Sequence, residues 1–462
     1  MGGISHLRDE DSRQCIYLQC SFLDKSKPLR TGISVSQSNT AAPSESDVLY
    51  PGWSVVIAAF LGVMSGYSVL IPYTFGLFLK PLSAEFGWRR DQISIAFGCV
   101  AITVALCAPI VGHLLDRFGP RRTILPCIAL FSLAFASLSL LTRSLAHFYV
   151  AFVVLGLFGN GTTQLAYSRS VSTWFLKRRG IALSLVAAGA GVGAMLIPLL
   201  TVWLLQKYGW RTAYELLGLL ILAISFPLTA LFVRDSVNIG QERLAARLDK
   251  HTLPTAVSSK PFLLLILAIF LYSVSFNGVI SHLAALLTDR GFSLSTAAKA
   301  LSLLGACGLT GRVVTGYLLD RFFAPRVSLV LFSTTVAGIF LLSSRSISSI
   351  FISVALIGFA AGGESDITPY LLSGYFSLQA FATLYGLAWT AYATGTMIGP
   401  ILMGRLYTLT GAYQSWGIQL LALSTLISSF LMILMPRYPL PGATNSAFLA
   451  AKSAPQPAMS DS

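Results

Sequence analysis

GHLLDRFGPRR, residues 112–122, and GYLLDRFFAPR, residues 316–326, are two closely similar stretches of one chain. Each carries an Asp-Arg pair in a short polar segment between two apolar runs, and we refer to them as the first and second Asp-Arg turns. Six apolar runs lie between the first turn and the second. Recurrence of one turn at this spacing predicts a parallel internal repeat, in which two similar bundles of six membrane helices follow each other.

The composition is that of a chain lying mostly in lipid. Of the 462 residues, 55% are hydrophobic and 11% are charged, whereas soluble domains carry about 25% charged residues. The formal net charge of +14 would suggest nucleic acid as the partner of a soluble protein. Because the basic residues lie mostly in short segments between apolar runs, we interpret the charge as membrane topology and expect no nucleic-acid partner.

Twelve apolar segments are long enough to cross a bilayer as helices. A helix needs about 20 residues to cross roughly 30 Å of hydrocarbon, and lipid leaves the backbone no external hydrogen-bonding partner. The predicted spans are 53–79, 92–115, 123–142, 148–172, 181–205, 214–233, 260–287, 297–319, 328–344, 350–376, 382–405 and 417–435. The predicted fold is an all-α membrane protein of two pseudo-symmetric six-helix bundles.

The polar segments divide this predicted fold. In chain order we expect a disordered tail (1–50), an N-terminal bundle (51–233), a central loop (234–259), a C-terminal bundle (260–436) and a second disordered tail (437–462). Lys and Arg are more frequent on the side that holds both tails and the central loop. This bias predicts that both termini are cytoplasmic and that the protein lies in the cell (inner) membrane.

The first Asp-Arg turn has a recognisable pattern, formed by Gly112, Asp116, Arg117, Gly119, Arg121 and Arg122. It resembles the cytoplasmic loop motif of the major facilitator superfamily. The second turn keeps Gly316, Asp320, Arg321 and Arg326 but lacks the second glycine. The resemblance implies two bundles that rock about a central site, with the turns latching the cytoplasmic gate. The alternative for these residues is a solvated turn.

Three further stretches resemble the branch of monocarboxylate transporters and bacterial oxalate/formate antiporters. They are FGLFLKPLSAEFGWRRDQIS (75–94), STWFLKRRGIALS (172–184) and GRVVTGYLLDR (311–321). The resemblance implies transport of a small carboxylate and a span-eight arginine, here Arg312, that binds it. A planar guanidinium holds a carboxylate through two parallel hydrogen bonds. The alternatives for Arg312 are a structural ion pair or a side chain that reaches the membrane surface.

Three other charged residues of the predicted spans are candidate functional residues, because a charge within a span costs roughly 2.5–3.5 kcal/mol or more. Glu364 and Asp366 point about 200° apart on a helix, so only one can face the cavity squarely. The carriers that the chain resembles place an aspartate four residues before the arginine, where this chain has Gly308. We therefore expect Asp366 or Glu364 to couple transport to protons; alternatively, one of them satisfies helix backbone near a proline. Arg169 is expected to be a gating or membrane-surface residue.

The remaining pocket candidates are polar and aromatic. The mammalian-type carriers have a lysine where this chain has Tyr73, and the oxalate antiporter has another lysine where it has Tyr392. One fixed cation instead of two favours a monocarboxylate over oxalate. The predicted substrate-binding residues beside Arg312 are Tyr73, Tyr167, Asn160, Gln164, Trp389 and Tyr392. The alternative for the aromatic residues is plain packing. The alternative for Asn160 and Gln164 is hydrogen bonding between helices.

The sequence thus predicts a secondary transporter of a small organic monocarboxylate, coupled to protons and embedded in the lipid bilayer. Within transport, the alternatives are an anion antiporter or an exporter of a hydrophobic acid or drug. A membrane sensor that does not transport is a more distant alternative. No nucleotide-binding loop, metal-ligand spacing or catalytic constellation occurs in the sequence, so we expect no nucleotide, cofactor or metal, and no enzymatic activity.

Overall fold

A computed structural model describes residue 47 and residues 50–175, 178–233, 256–376, 378–413 and 416–437. The two predicted tails and the predicted central loop lie almost entirely outside these described residues. Residues 44–462 belong to one compact unit. All regular secondary structure in the described part of the chain is helical.

The helices follow one another with short connections. In chain order they are α1 (Pro51–Met64), α2 (Tyr67–Phe86), α3 (Arg90–Phe118), α4 (Pro120–Ser137), α5 (Leu145–Gly159), α6 (Gln164–Trp174), α7 (Arg179–Phe232), α8 (Lys260–Asp289), α9 (Leu294–Leu319), α10 (Ala324–Leu341), α11 (Ile347–Tyr375), α12 (Leu378–Thr410) and α13 (Gly417–Ile433). Single turns of 3₁₀-helix lie at Leu138–Leu140 and Asn160–Thr162.

These helices make the twelve predicted crossings. Nine segments of the described residues are long and apolar enough to span a membrane, and one of them, Gly180–Phe232, contains two crossings. Gly209, with φ +80°, breaks α7 between those two crossings, in a conformation that only glycine adopts at little cost. Helices α12 and α13 supply the last two crossings. The predicted fold class is therefore confirmed.

Crossings one and four are each interrupted near the middle, and the two interruptions meet. The first separates α1 from α2, and the second is the 3₁₀ turn between α5 and α6. The backbone N–H of Tyr67 donates to the Thr162 side chain at 3.0 Å, and the Asn160 amide donates to the Val104 carbonyl at 2.6 Å. These bonds supply partners to polar groups where the helices break.

Helices α9 and α11 approach each other closely because both have glycine at the contact. A Cβ atom on Gly311 would collide with the Phe359 carbonyl, and one on Gly362 would collide with the Gly308 carbonyl. Small residues let helix backbones meet in this way in membranes. The contact fixes the second of these helices, α11, against the segment of α9 that carries Arg312.

Among the described residues, the buried apolar packing between the two bundles lies toward one side of the membrane. We call the side of the two Asp-Arg turns the turn face and the other side the opposite face. Helix pairs α2 and α8, α3 and α12, and α7 and α9 connect the bundles. The larger apolar cluster combines the N-terminal bundle with the opposite-face ends of the C-terminal helices: 274–287 of α8, 297–304 of α9, 350–357 of α11 and Met403 of α12.

The turn-face ends of the same C-terminal helices form a separate apolar cluster. It comprises 262–272 of α8, 324–332 of α10, 360–372 of α11, and Leu384 and Ala388 of α12. The C-terminal bundle therefore has its own core toward the turn face and shares a core with the N-terminal bundle toward the opposite face. In this conformation the joint between the bundles lies on the opposite face.

The close contact between α9 and α11 yields a test on a single helix. We expect Gly311→Ala to lower the midpoint of thermal unfolding, because the added methyl group collides with the Phe359 backbone and overpacking costs about 1–3 kcal/mol. Gly316→Ala is the control on the same helix, since its Cβ would meet no atom within 4 Å. Equal unfolding temperatures for the two variants would contradict this packing.

Candidate functional site

The structure places Arg312 at the junction of the two bundles. Its guanidinium donates to the Ser365 hydroxyl from Nε at 3.2 Å and from Nη2 at 2.5 Å. Its Nη1 donates to the Ala187 carbonyl in the N-terminal bundle at 3.4 Å. Three helices, α7, α9 and α11, thus converge on one cation, and 25% of its side chain stays exposed.

Asp366 is the acidic partner of Arg312. Its Oδ2 lies 3.5 Å from Nε, and 38% of its side chain is exposed. The distance is long for a charge-assisted hydrogen bond, which typically measures about 2.7–2.9 Å. The pair is therefore open on one side and loosely held, so an external carboxylate can compete with Asp366 for the guanidinium.

Glu364 has a different environment, although it lies only two residues away. It is 7% exposed, and its nearest hydrogen-bond donor is the Thr368 hydroxyl at 3.5 Å. It forms no ion pair with any described residue. The helical angle between the two positions explains this difference: Asp366 turns toward Arg312, and Glu364 turns into the packing of α11.

The charge of Arg312 also acts on two tyrosines from other helices. They are Tyr73 on α2, which the sequence predicts, and Tyr385 on α12, which it misses. Both rings carry a hydroxyl that can donate to a carboxylate bound at Arg312. Tyr73 comes from the N-terminal bundle and Tyr385 from the C-terminal bundle, so the polar groups around the guanidinium belong to both halves.

Trp389 and Tyr392 form an aromatic wall on α12. Their rings stack with centroids 5.4 Å apart and planes 9° apart, and 43% of Trp389 is exposed. The Tyr392 carbonyl accepts a hydrogen bond from the Ser273 hydroxyl of α8 at 2.6 Å. The buried Asn277 amide lies one turn further along α8, 3.2 Å from the same hydroxyl. The polar residues in the stretch SVSFN (273–277) indicate this cluster in the sequence, although none of them was a predicted site residue.

Three further predicted pocket residues of the N-terminal bundle lie on α6 or in the 3₁₀ turn before it. Tyr167 is fully buried, its hydroxyl lies 3.3 Å from the Thr229 hydroxyl, and its ring occupies the space beside Gly62. Asn160 is engaged with the Val104 carbonyl, and Gln164 begins α6 half-buried. Tyr167 and Asn160 thus have internal partners, while Arg169 is exposed on α6. Their predicted roles at the substrate or the gate stay predictions.

The first Asp-Arg turn is built around a glycine with positive φ. Gly119, at φ +84°, ends α3 and precedes α4. Gly112 leaves open space where a Cβ would stand, and Arg117, Arg121 and Arg122 are exposed. The side chain of Asp116 lies outside the described part of the structure.

The second Asp-Arg turn is similarly open. The Arg321 guanidinium lies 4.0 Å above the Tyr317 ring, and Asp320 and Arg326 are exposed. Gly316 has no neighbour within 4 Å of a Cβ position. The described side chains of the two turns form no ion pair across the bundles, and the gating role stays a prediction.

Comparison with known proteins gives a consistent family assignment. The family model of the Major Facilitator Superfamily matches residues 52–393. The chain is 28% identical to monocarboxylate transporter 13 of Rattus norvegicus over 79% of this chain and 84% of the relative. It is 27% identical to an MFS-type transporter of Gibberella moniliformis, over 81% and 87% of the two chains.

A solved structure has the same fold. It is a bacterial homologue of the human lysosomal transporter Spinster, in an inward-facing and unoccupied conformation. The match has a TM-score of 0.66 at 16% identity and covers 86% of this chain and all of the other. At this identity the likeness concerns the fold alone.

Two tyrosine variants distinguish a tyrosine that contacts the ligand from a tyrosine that packs inside a bundle. We expect Tyr73→Phe to weaken binding of a carboxylate ligand by on the order of tenfold, since a hydrogen bond to a charged group contributes about 1.5–3 kcal/mol. Tyr167→Phe is the matched control, because its hydroxyl faces Thr229 inside the N-terminal bundle. The measurement is ligand affinity of the purified protein. A larger loss in Tyr167→Phe than in Tyr73→Phe would reverse the assignment.

Proposed function

Since the chain belongs to the major facilitator superfamily of membrane transporters, we propose that it carries a small organic monocarboxylate together with a proton. The observation that carries the proposal is the arrangement of Arg312, a partly exposed guanidinium between the two bundles whose acidic partner is 3.5 Å away. A permanent cation in a membrane interior requires an anionic partner. The monocarboxylate transporter among its relatives supports this choice of substrate class.

The charge balance at the site favours one negative charge on the substrate. Among the described residues near the site, Arg312 is the cation, and Tyr73 on α2 and Tyr392 on α12 stand where the resembling carriers have lysines. A monocarboxylate accepts both hydrogen bonds of the guanidinium and leaves no further charge. A dicarboxylate would bring a second charge without a second cation, at a cost of several kcal/mol in a dry site.

Proton coupling follows from competition for the guanidinium. When a substrate carboxylate binds Arg312, Asp366 loses its ion pair in a poorly hydrated site. Removal of a carboxylate from both water and its cation favours the neutral form, so Asp366 takes up a proton. Substrate and proton then cross together, and release of the substrate returns Arg312 to Asp366. Glu364, which is buried and has no ion-pair partner among the described residues, takes no part in this exchange.

Membrane orientation completes the proposal. The excess of Lys and Arg on the turn face supports an orientation in which that face and both termini are cytoplasmic. The opposite face then faces the exterior of the cell membrane, and the observed conformation has its joint on the exterior side.

A second candidate function rests on the aromatic wall. The stacked Trp389 and Tyr392 rings, of which Trp389 is exposed, suit a flat hydrophobic acid or drug as well as a short-chain acid. Uptake and efflux from liposomes with a panel of short-chain, aromatic and doubly charged acids distinguish these substrates. Accumulation that needs an opposing anion instead of a pH gradient would indicate an antiporter.

The first test of the proposal concerns the cation. We expect Arg312→Gln to abolish saturable carboxylate uptake into liposomes and to leave folding intact, because glutamine keeps hydrogen-bonding capacity and removes the charge. Arg211→Gln is the control, since Arg211 pairs with Glu85 within the N-terminal bundle at 2.5 Å. Retained saturable uptake in Arg312→Gln at normal affinity would refute the role of this arginine in binding.

The second test assigns the coupling acid. We expect Asp366→Asn to retain binding but lose pH-driven accumulation, because asparagine cannot take up the proton. Glu364→Gln should keep pH-driven accumulation, since it mimics the neutral acid. The measurement is uptake against an imposed pH gradient. The reverse outcome would assign coupling to Glu364, and unchanged coupling in both variants would show that neither acid carries the proton.

A further inference from the structure

A network of ionic and aromatic groups crosses from one bundle to the other at the opposite face. We propose that Lys80, Arg90, Asp289 and Tyr413 form a latch that holds this face closed and must break each time the transporter opens there. The first two residues belong to the N-terminal bundle, and the last two belong to the C-terminal bundle. The proposal rests on the two-bundle fold and not on the choice of substrate.

The central element of the latch is a two-pronged ion pair. Arg90, at the start of α3, donates from Nη1 to Oδ2 of Asp289 at 2.5 Å and from Nη2 to Oδ1 at 2.9 Å. Asp289 is the last residue of α8. Parallel hydrogen bonds of this kind are stronger and more directional than a simple ion pair. Only 10% of the Arg90 side chain is exposed, so water screens the pair weakly.

Asp289 has a second cationic partner from the same bundle. The Lys80 ammonium of α2 lies 2.7 Å from Oδ1 of Asp289, with 38% of the lysine side chain exposed. Two crossings of the N-terminal bundle are therefore tied to one carboxylate of the C-terminal bundle. Loss of Lys80 alone leaves the pair of Arg90 and Asp289 in place.

Aromatic residues of the C-terminal bundle enclose the Arg90 side chain. Its guanidinium lies 3.7 Å from the centre of the Tyr407 ring, in a cation–π contact. The same group donates to the Tyr413 hydroxyl at 2.7 Å. Every strong contact of this arginine thus lies on the other bundle, which distinguishes it from an arginine that stabilises its own bundle.

A buried histidine holds the latch residue Tyr413 in place through a hydrogen bond. His282 of α8 is fully buried, and its Nδ1 lies 2.8 Å from the Tyr413 hydroxyl. Its Nε2 lies 3.0 Å from the Pro400 carbonyl and 3.1 Å from the Ser94 hydroxyl of the N-terminal bundle. Because a carbonyl only accepts, Nε2 carries the hydrogen and Nδ1 accepts from Tyr413. This series of hydrogen bonds orients the Tyr413 oxygen toward Arg90.

The position of the network implies its role. The two bundles share an apolar core only toward the opposite face, where these residues lie. Opening of this face separates α2 and α3 from α8 and α12, and the contacts of Arg90 and Lys80 cannot survive that separation. A second pair across the bundles, between Arg405 and Asp91 at 3.4 Å, is longer, and 58% of its arginine is exposed, so it adds little.

The test measures how often the opposite face opens. A reporter, Ser281→Cys, is introduced into a variant whose six native cysteines are replaced by alanine. Ser281 is fully buried on α8, and its backbone lies against Gly76 of the N-terminal bundle. The rate at which a water-soluble maleimide labels the purified protein reports opening of this joint. No substrate is needed, so the result is independent of the proposed carboxylate.

We expect Arg90→Gln and Asp289→Asn each to raise the labelling rate by on the order of tenfold or more, since a lost charge-assisted hydrogen bond shifts an equilibrium by that factor. Lys80→Gln should raise it less, because Arg90 still holds Asp289. The matched controls are Glu85→Gln and Arg211→Gln, which break an ion pair of 2.5 Å within one bundle. These controls should label at the unmodified rate.

A double variant with exchanged charges distinguishes loss of the latch from a general loosening of the fold. Arg90→Asp combined with Asp289→Arg should label more slowly than either single variant, because opposite charges again face each other across the joint. The latch is refuted if Arg90→Gln and Asp289→Asn label no faster than the Glu85 and Arg211 controls. It is also refuted if the reversed pair labels as fast as its single variants.

Discussion

The whole arrangement depends on one charge that cannot be removed. Arginine stays protonated under all physiological conditions, so a guanidinium in the interior of a membrane protein must always have polar or anionic partners. In this structure Ser365 and Asp366 supply them from α11 and the Ala187 carbonyl supplies one from α7, while 25% of the side chain stays exposed. We propose that this charged and partly satisfied site between the two bundles receives an anion and responds to it.

The close contact of α9 and α11 is what makes this site possible. Gly308 and Gly311 on one helix, and Gly362 on the other, let the backbones touch. That contact brings Ser365 and Asp366 beside Arg312, one turn beyond the glycines. In the resembling carriers an acid stands at the position of Gly308. Here a Cβ atom at this position would lie 3.4 Å from the Gly358 carbonyl, an ordinary contact, and we propose that the acid comes from α11 instead.

Much of this could be predicted from the sequence, and the reasons are physical. Apolar length and the repeated Asp-Arg turn predicted twelve crossings and the two-bundle fold, because lipid imposes helical spans of a known length. Arg312 was predicted because a charge in such a span is costly. Ser365, Tyr385 and the breaks in crossings one and four were not predicted, since a serine, a tyrosine or a glycine in a membrane helix has many ordinary uses.

Contacts between residues far apart in the sequence were the hardest to predict. Arg90 and Asp289 are 199 residues apart, and Arg90 and Tyr413 are 323 apart. Sequence position placed both charged residues at the ends of spans, where charges are common and call for no partner. Only the packing of the two bundles brings them together. The same limit applied to Tyr167, whose aromatic ring in a span was equally consistent with a pocket wall and with the buried packing position it occupies.

The binding of a carboxylate at Arg312 is the central claim, and a matched pair of ligands tests it most directly. Titration calorimetry of the purified protein would compare a short monocarboxylate with its uncharged amide, which has nearly the same shape. The account predicts that the acid binds, that the amide does not, and that this preference disappears in Arg312→Gln. Equal binding of acid and amide by the unmodified protein, or an unchanged preference in the variant, would contradict it.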